Sequence, residues 1–167
     1  MTKLQKLILI GMAVLMAGLL IAAGVVFATR EDPKPIVGEF VPPEFDPAAV
    51  SGTPEQPVES AAYGTLELKP DAVVSMCANV TVENDAAQVY FTSHEGNLGW
   101  MKIKLLDEEG NLLGQSGLVR PGEYVQAVTL TQVPKKTGLI VAKILIYEPD
   151  TYLSLGSASV QVMLIVK

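Results

Sequence analysis

From residue 63 onward, apolar and polar side chains alternate with a period of two over short stretches, and turn-forming residues separate the stretches. A period of two places successive side chains on opposite faces of a strand. The pattern predicts strands over 65–68, 73–82, 87–93, 100–107, 112–115, 123–130, 138–147 and 157–166. These segments are rich in Val, Ile, Thr and Tyr, which suit a pleated, half-buried surface. Turn signals lie between them: Glu83-Asn84-Asp85, His94-Glu95-Gly96-Asn97, Glu108-Glu109-Gly110-Asn111 and Pro121-Gly122. Gly110 is expected at positive φ in a hairpin, and Pro121-Gly122 suits the centre of a type II turn. No stretch holds a helical period for three turns.

Alternation also assigns faces. Val74, Met76, Ala78, Val80 and Val82 are expected in the core, as are Val89 with Phe91 and Met101 with Ile103 and Leu105. Lys143 marks an outer face, so Ile140, Ala142, Ile144 and Ile146 point inward. Val160, Val162, Leu164 and Val166 close the core. The 123–130 segment carries apolar side chains in both phases and assigns neither face. Seven or eight such strands in 105 residues predict an all-β, immunoglobulin-like antiparallel sandwich.

The first 62 residues follow other rules. Residues 7–28 run 22 positions without a charge. As a helix at ~1.5 Å per residue, that run reaches about 33 Å, enough to cross a hydrocarbon core of roughly 30 Å. Lys3 and Lys6 precede it, whereas Arg30, Glu31 and Asp32 nearly cancel behind it. The bias predicts a cytoplasmic N-terminus and an exported C-terminal domain. The run exceeds the ordinary apolar region of a cleaved signal peptide, although Val26-Phe27-Ala28 offers a cleavage site. Residues 1–28 are therefore read as cytoplasmic end and single-pass signal anchor. Residues 29–62 hold seven of the eleven prolines, with seven acids and two bases. Proline fixes φ and removes a donor, so this stretch is read as an extended acidic tether. A proline-rich ligand for an aromatic groove is the alternative.

Charge and rare residues narrow the function classes. The whole chain has 167 residues, a net charge of −6, and a single cysteine, histidine and tryptophan. An acidic chain of this kind is no nucleic-acid grip. One Cys and one His build neither a Cys/His zinc site nor a disulfide framework, and no cofactor motif is present. Cys77 and His94 are the sole Cys–His pair. Ser75 or Ser93 with His94 is the serine version, and a small half-buried thiol with a turn histidine is the plainer reading. The acidic loops at 83–85, 107–111 and 148–150 carry oxygen ligands, but none has EF-hand spacing. Asn79-Val80-Thr81 matches a glycosylation acceptor in mid-strand.

The stretch Gly117-Leu118-Val119-Arg120-Pro121-Gly122-Glu123-Tyr124-Val125, followed by Val128-Thr129-Leu130 and Thr137-Gly138 before a long strand, resembles the second half of bacterial cell-surface immunoglobulin-like domains. The closing 160–166 strand fits the same pattern, and the paired cysteines of antibody-type domains are missing. The layout as a whole is similar to small signal-anchored envelope proteins of Gram-positive bacteria and their conjugative elements. The resemblance implies an accessory role at the cell envelope.

Tyr90 and Trp100 carry large rings on outward phases, and Lys102 and Lys104 flank Trp100. An aromatic patch with a basic edge is expected to hold an envelope protein partner. A sugar ring of envelope polysaccharide is the alternative ligand. The sequence thus points to a membrane-anchored, non-catalytic binding module, and its burial-prone alternative is that the first strand or the tether covers this face.

Overall fold

The computed structural model describes residues 41–55, 61–69 and 71–166, together with residue 12. Apart from that residue, the expected anchor over 7–28 and the first part of the expected tether lie outside the described residues. Val41–Lys167 form one compact unit.

Its described residues are all-β and form ten strands. They are β1 (Val50–Ser51), β2 (Tyr63–Leu68), β3 (Ala72–Cys77), β4 (Asn79–Glu83), β5 (Ala86–Ser93), β6 (Trp100–Leu106), β7 (Leu112–Gln115), β8 (Glu123–Thr129), β9 (Gly138–Tyr147) and β10 (Ser154–Val166). All eight expected strands are present. The count rises to ten for two reasons: the 73–82 segment breaks at Ala78, and β1 comes from residues read as tether.

Hydrogen bonds order the strands β1-β8-β5-β4-β10-β9-β6-β7, with β3 pairing β5 and β2 attached to β3. The pairing is antiparallel except between β4 and β10, where Asn79–Val82 run parallel to Met163–Val166. The sheet curls so far that its ends meet. Gly114 of β7 bridges Leu130, just past β8, and the Thr131 amide donates to the Leu113 carbonyl at 2.7 Å. Curling removes most free edges and gathers the inward phases into one core. Val74, Val80, Val89, Phe91, Met101, Ile103, Leu105, Ile144 and Leu164 are sealed from solvent. Each such side chain contributes about 1.5–3 kcal/mol of burial.

Three local departures from alternation matter later. At Ala78 the chain bends, the alanine is exposed, and Cys77 turns inward to full burial. In β5, the register against β8 passes from Gln88↔Ala127 to Phe91↔Val125. Val89 and Tyr90 therefore oppose Gln126 alone, as in a β-bulge, and Tyr90 takes φ of 49°. On β8 both Val125 and Val128 are buried, which explains why its alternation assigned no face.

A further feature lies before β1. Residues 44–46 lie across Gly117 and Leu118 as a short parallel strap. The Leu118 amide donates to the Glu44 carbonyl, and the Asp46 amide donates to the Leu118 carbonyl, both at 2.9 Å. The Gly117 amide donates to Asp46 Oδ2 at 2.7 Å. A Cβ on Gly117 would sit 2.5 Å from the Asp46 nitrogen, so only glycine admits the strap. The β-domain thus extends back beyond residue 63, into a segment whose proline content suggested a free tether.

Candidate functional site

The face expected to bind is built by β6 and β9. Trp100, Lys102 and Lys104 share the outer phase of β6. Register places Trp100 opposite Tyr147, Lys102 opposite Leu145 and Lys104 opposite Lys143. Directly opposed residues point the same way, so Lys102, Lys104 and Lys143 stand together. Among the described residues no carboxylate lies within ion-pair distance of these three; the ion pair that forms is Arg120–Glu123 at 3.4 Å. Burial pushes the Lys102 ammonium below its ordinary value, the Lys104 charge pushes the same way, and Asp46 opposes both.

Trp100 is not an open platform. Phe45 from the strap meets its ring edge-to-face at 4.8 Å, and Tyr152 does so at 5.2 Å. The Arg120 guanidinium then stacks 3.6 Å from the centre of the Phe45 ring. The tether covers this part of the face, leaving Trp100 half-buried.

Tyr90 lies elsewhere. Strands β5 and β6 are four positions apart in the sheet order, and Tyr90 Oη accepts a 3.2 Å hydrogen bond from Gln126 Nε2 on β8. Of the four residues expected to form one patch, the structure brings together Trp100, Lys102 and Lys104. It adds Lys143 and separates Tyr90.

A second site was not foreseen as a cavity. An open cleft of about 680 Å³ lies between β1, β2, β3, the end of β5 and the Pro121-Gly122 turn. Its lining mixes polar and apolar surface about equally, and the polar side chains include Tyr63, Thr65, Ser75, Thr92, His94 and Glu95. The Gly122 amide donates to the Ser93 carbonyl at 2.9 Å, and the Gly52 amide donates to the Gly122 carbonyl at 2.8 Å. These bonds fasten the rim. Gly122 has φ of 77°, as the type II turn requires, and the Glu123 amide closes that turn onto the Arg120 carbonyl at 3.1 Å.

Asn97 sets the wall that carries His94. It is buried, and its side-chain amide imitates a peptide group beside β3. The Val73 amide donates to Asn97 Oδ1 at 2.7 Å, while Asn97 Nδ2 donates to the Val73 carbonyl at 2.7 Å and to Ser93 Oγ at 3.1 Å. The loop is thereby pinned with His94 over β3, where His94 Nε2 and Ser75 Oγ lie 2.8 Å apart. Ser75 Oγ also meets Thr65 Oγ1 at 2.8 Å.

Catalytic arrangements fare differently. Cys77 opposes Tyr63 two positions beyond Ser75, is sealed in the core, and its thiol is pushed up to about 11 by burial. It is protonated at neutral pH and packs within the core cluster. Ser75 does meet His94, yet among the described residues no carboxylate hydrogen-bonds the imidazole to orient it. The acidic loop at 107–111 consumes its own ligands. Asp107 Oδ1 accepts from the Glu109 and Asn111 amides at 3.0 and 2.7 Å, and its carboxyl is held below the usual range, chiefly by the Asn111 side chain. Among the described residues no group of three His, Cys, Asp or Glu side chains converges on a metal position.

Periodicity alone could not find the cleft, because it forms from hydroxyls on three strands whose order alternation does not encode. Its one advance signal was the single histidine beside a turn, with Ser75 in an outward phase.

No protein family matches the chain, and no curated protein matches it either. Among solved structures the chain is weakly similar to the crystal structure of CopC from Methylosinus trichosporium OB3b, at 15% identity, 63% coverage of this chain, 93% of that chain and a TM-score of 0.33.

Proposed function

We propose that this chain is a non-catalytic binding module, an immunoglobulin-like β-sandwich variant displayed outside the cytoplasm on the signal anchor at 7–28. Its role is to hold an envelope protein partner through the outer face of β6 and β9. One observation carries this reading. Lys102, Lys104 and Lys143 converge on one face, unpaired with any carboxylate among the described residues, in a chain of net charge −6. Opposed like charges cost stability within the sheet, and an acidic partner surface offsets that cost. Arg120 and the strap rings extend the face with features common at protein interfaces.

Binding is favoured over catalysis by the two nucleophile candidates themselves. The Cys77 thiol is protonated and buried, and Ser75 Oγ is shared with Thr65.

The test is crosslinking of the full-length chain in its native membrane, read by mass spectrometry, beside a variant carrying Lys102→Glu, Lys104→Glu and Lys143→Glu. A reproducible set of envelope proteins that disappears in the variant is the expected result. A set unchanged by charge reversal, or no set at all, refutes the lysine face as the interface.

A further inference from the structure

The polar cleft is a different kind of surface from the lysine face, and its hydrogen bonds run through linked hydroxyls. Thr92 Oγ1 lies 2.8 Å from Tyr63 Oη and 3.2 Å from the Tyr90 carbonyl. A hydroxyl has one proton, so Thr92 donates to the carbonyl or to the phenol at any one time. With the proton on the carbonyl, the phenol donates to Thr92 and the Tyr63 oxygen faces the cleft as an acceptor. With the proton on Tyr63, the phenol keeps its own proton to donate into the cleft.

The second chain, Thr65–Ser75–His94, also runs in either sense. If His94 Nε2 accepts, Ser75 donates to it, Thr65 donates to Ser75, and the Thr65 oxygen is left as an acceptor. If His94 Nε2 carries the proton, both bonds reverse and Thr65 has a proton free to donate into the cleft. Both walls therefore present groups that donate or accept to suit the ligand. The hydroxyls behind them, Ser75 and Thr92, are only 2% and 6% exposed, so these chains are held within the fold.

We infer that the cleft formed by Tyr63, Thr65, Ser75, Thr92 and His94 is a binding site for a neutral, hydroxyl-bearing ligand, a saccharide unit. Sugar hydroxyls donate and accept together, and the lining does the same. The volume, about 680 Å³, falls in the range of small-ligand sites. Among the described residues Glu95 is the one carboxylate in the lining and no lysine or arginine joins it, which disfavours phosphate or carboxylate ligands. Glu95 adds a strong acceptor for a further hydroxyl, and the Tyr63 ring adds apolar surface beside it. The site uses none of the residues of the lysine face.

The chain has one histidine, so its imidazole resonances report on this cleft alone. The experiment titrates the full-length protein, held in a detergent without a sugar headgroup, with glucose, galactose, N-acetylglucosamine and their β-linked oligomers up to about 100 mM, the weak end of the millimolar range. Saturable movement of the His94 resonances by at least one of these is expected. Thr65→Val with Thr92→Val, which keeps side-chain shape and removes two hydroxyls, should weaken that binding by about tenfold or more. Lys104→Glu should leave it unchanged. The inference is overturned if no saccharide moves His94 while Trp100 fluorescence shows a folded chain. It is equally overturned if the double valine variant binds as well as the parent.

Discussion

The two outer surfaces of the domain solve the same problem in opposite ways. Around the cleft, polar side chains are locked to one another and to backbone: Asn97 to Val73, Tyr63 to Thr92, Ser75 to His94 and Thr65. On the β6–β9 face, polar side chains are set against each other, with Lys104 directly opposite Lys143 and aromatic rings packed at one end. The cleft side is preorganised by satisfied hydrogen bonds, whereas the lysine side keeps charge unsatisfied within the fold. Preorganisation suits a small ligand that must meet several groups at once. Unsatisfied charge suits a broad surface that steers an oppositely charged partner.

The contrast breaks most severely at Asn97. Asn97→Ala leaves the part-buried Val73 amide without its acceptor, and destabilisation of about 1–3 kcal/mol is expected. Urea unfolding measures it, and the His94 resonances should broaden while those of Lys143 on β9 stay put. Loss below about 0.5 kcal/mol would show that the loop does not depend on this amide.

A smaller effect sharpens the other side. Phe45→Ala removes the ring between Trp100 and Arg120, and about 1–2 kcal/mol should be lost. The single tryptophan makes the check direct, since its emission should shift to the red as water reaches the indole. Unchanged emission would mean that the strap does not shield Trp100 in solution.

The smallest effect carries the opposite sign. Lys104→Glu replaces a repulsive cross-strand pair with an attractive one and should stabilise by about 0.2–1 kcal/mol. It should also change the pH dependence. Lys102 is lowered by burial first and by Lys104 second, so its charge is penalised in the folded state. That penalty is present in full below the lowered value and vanishes as pH rises past the ordinary lysine value of 10.5. Parent stability should therefore contain an increment that grows with pH in the window just under 10.5, and Lys104→Glu should reduce that increment. Equal increments in parent and variant would remove Lys104 as a cause.

How far the sequence disclosed this follows from the range of each interaction. Alternation is local, so β6 and β9 were legible, and Met101, Ile103, Leu105, Ile140, Ala142, Ile144 and Ile146 are all buried as expected. Ala78 was misplaced because a bend breaks the period and exposes it, letting Cys77 turn inward. Tyr90 was grouped with Trp100 because alternation gives a face but not a neighbour, and strand order separates them. The strap was illegible for a plainer reason. Asp46 and Gly117 are 71 residues apart, and nothing in a proline-rich acidic stretch announces that one carboxylate and one ring fit a glycine gap that far away. Trp100 kept its outward phase but lost its openness to that strap. The cleft stayed hidden because Ser75 and His94 become neighbours only when β3 pairs with β5.

The strap has a mechanical consequence. Tension entering the domain from residue 41 reaches the strap before any of the ten strands. Three hydrogen bonds to Gly117 and Leu118, with the stack of Phe45 on Trp100, resist it there. The core strands are joined by far longer ladders, ten paired positions between β9 and β10 alone. A pull on the N-terminal side therefore peels residues 44–46 while the barrel-like core stays closed. Peeling would remove Phe45 from Trp100 and leave Tyr152 as its remaining ring contact, so the surface beside the three lysines would widen under load.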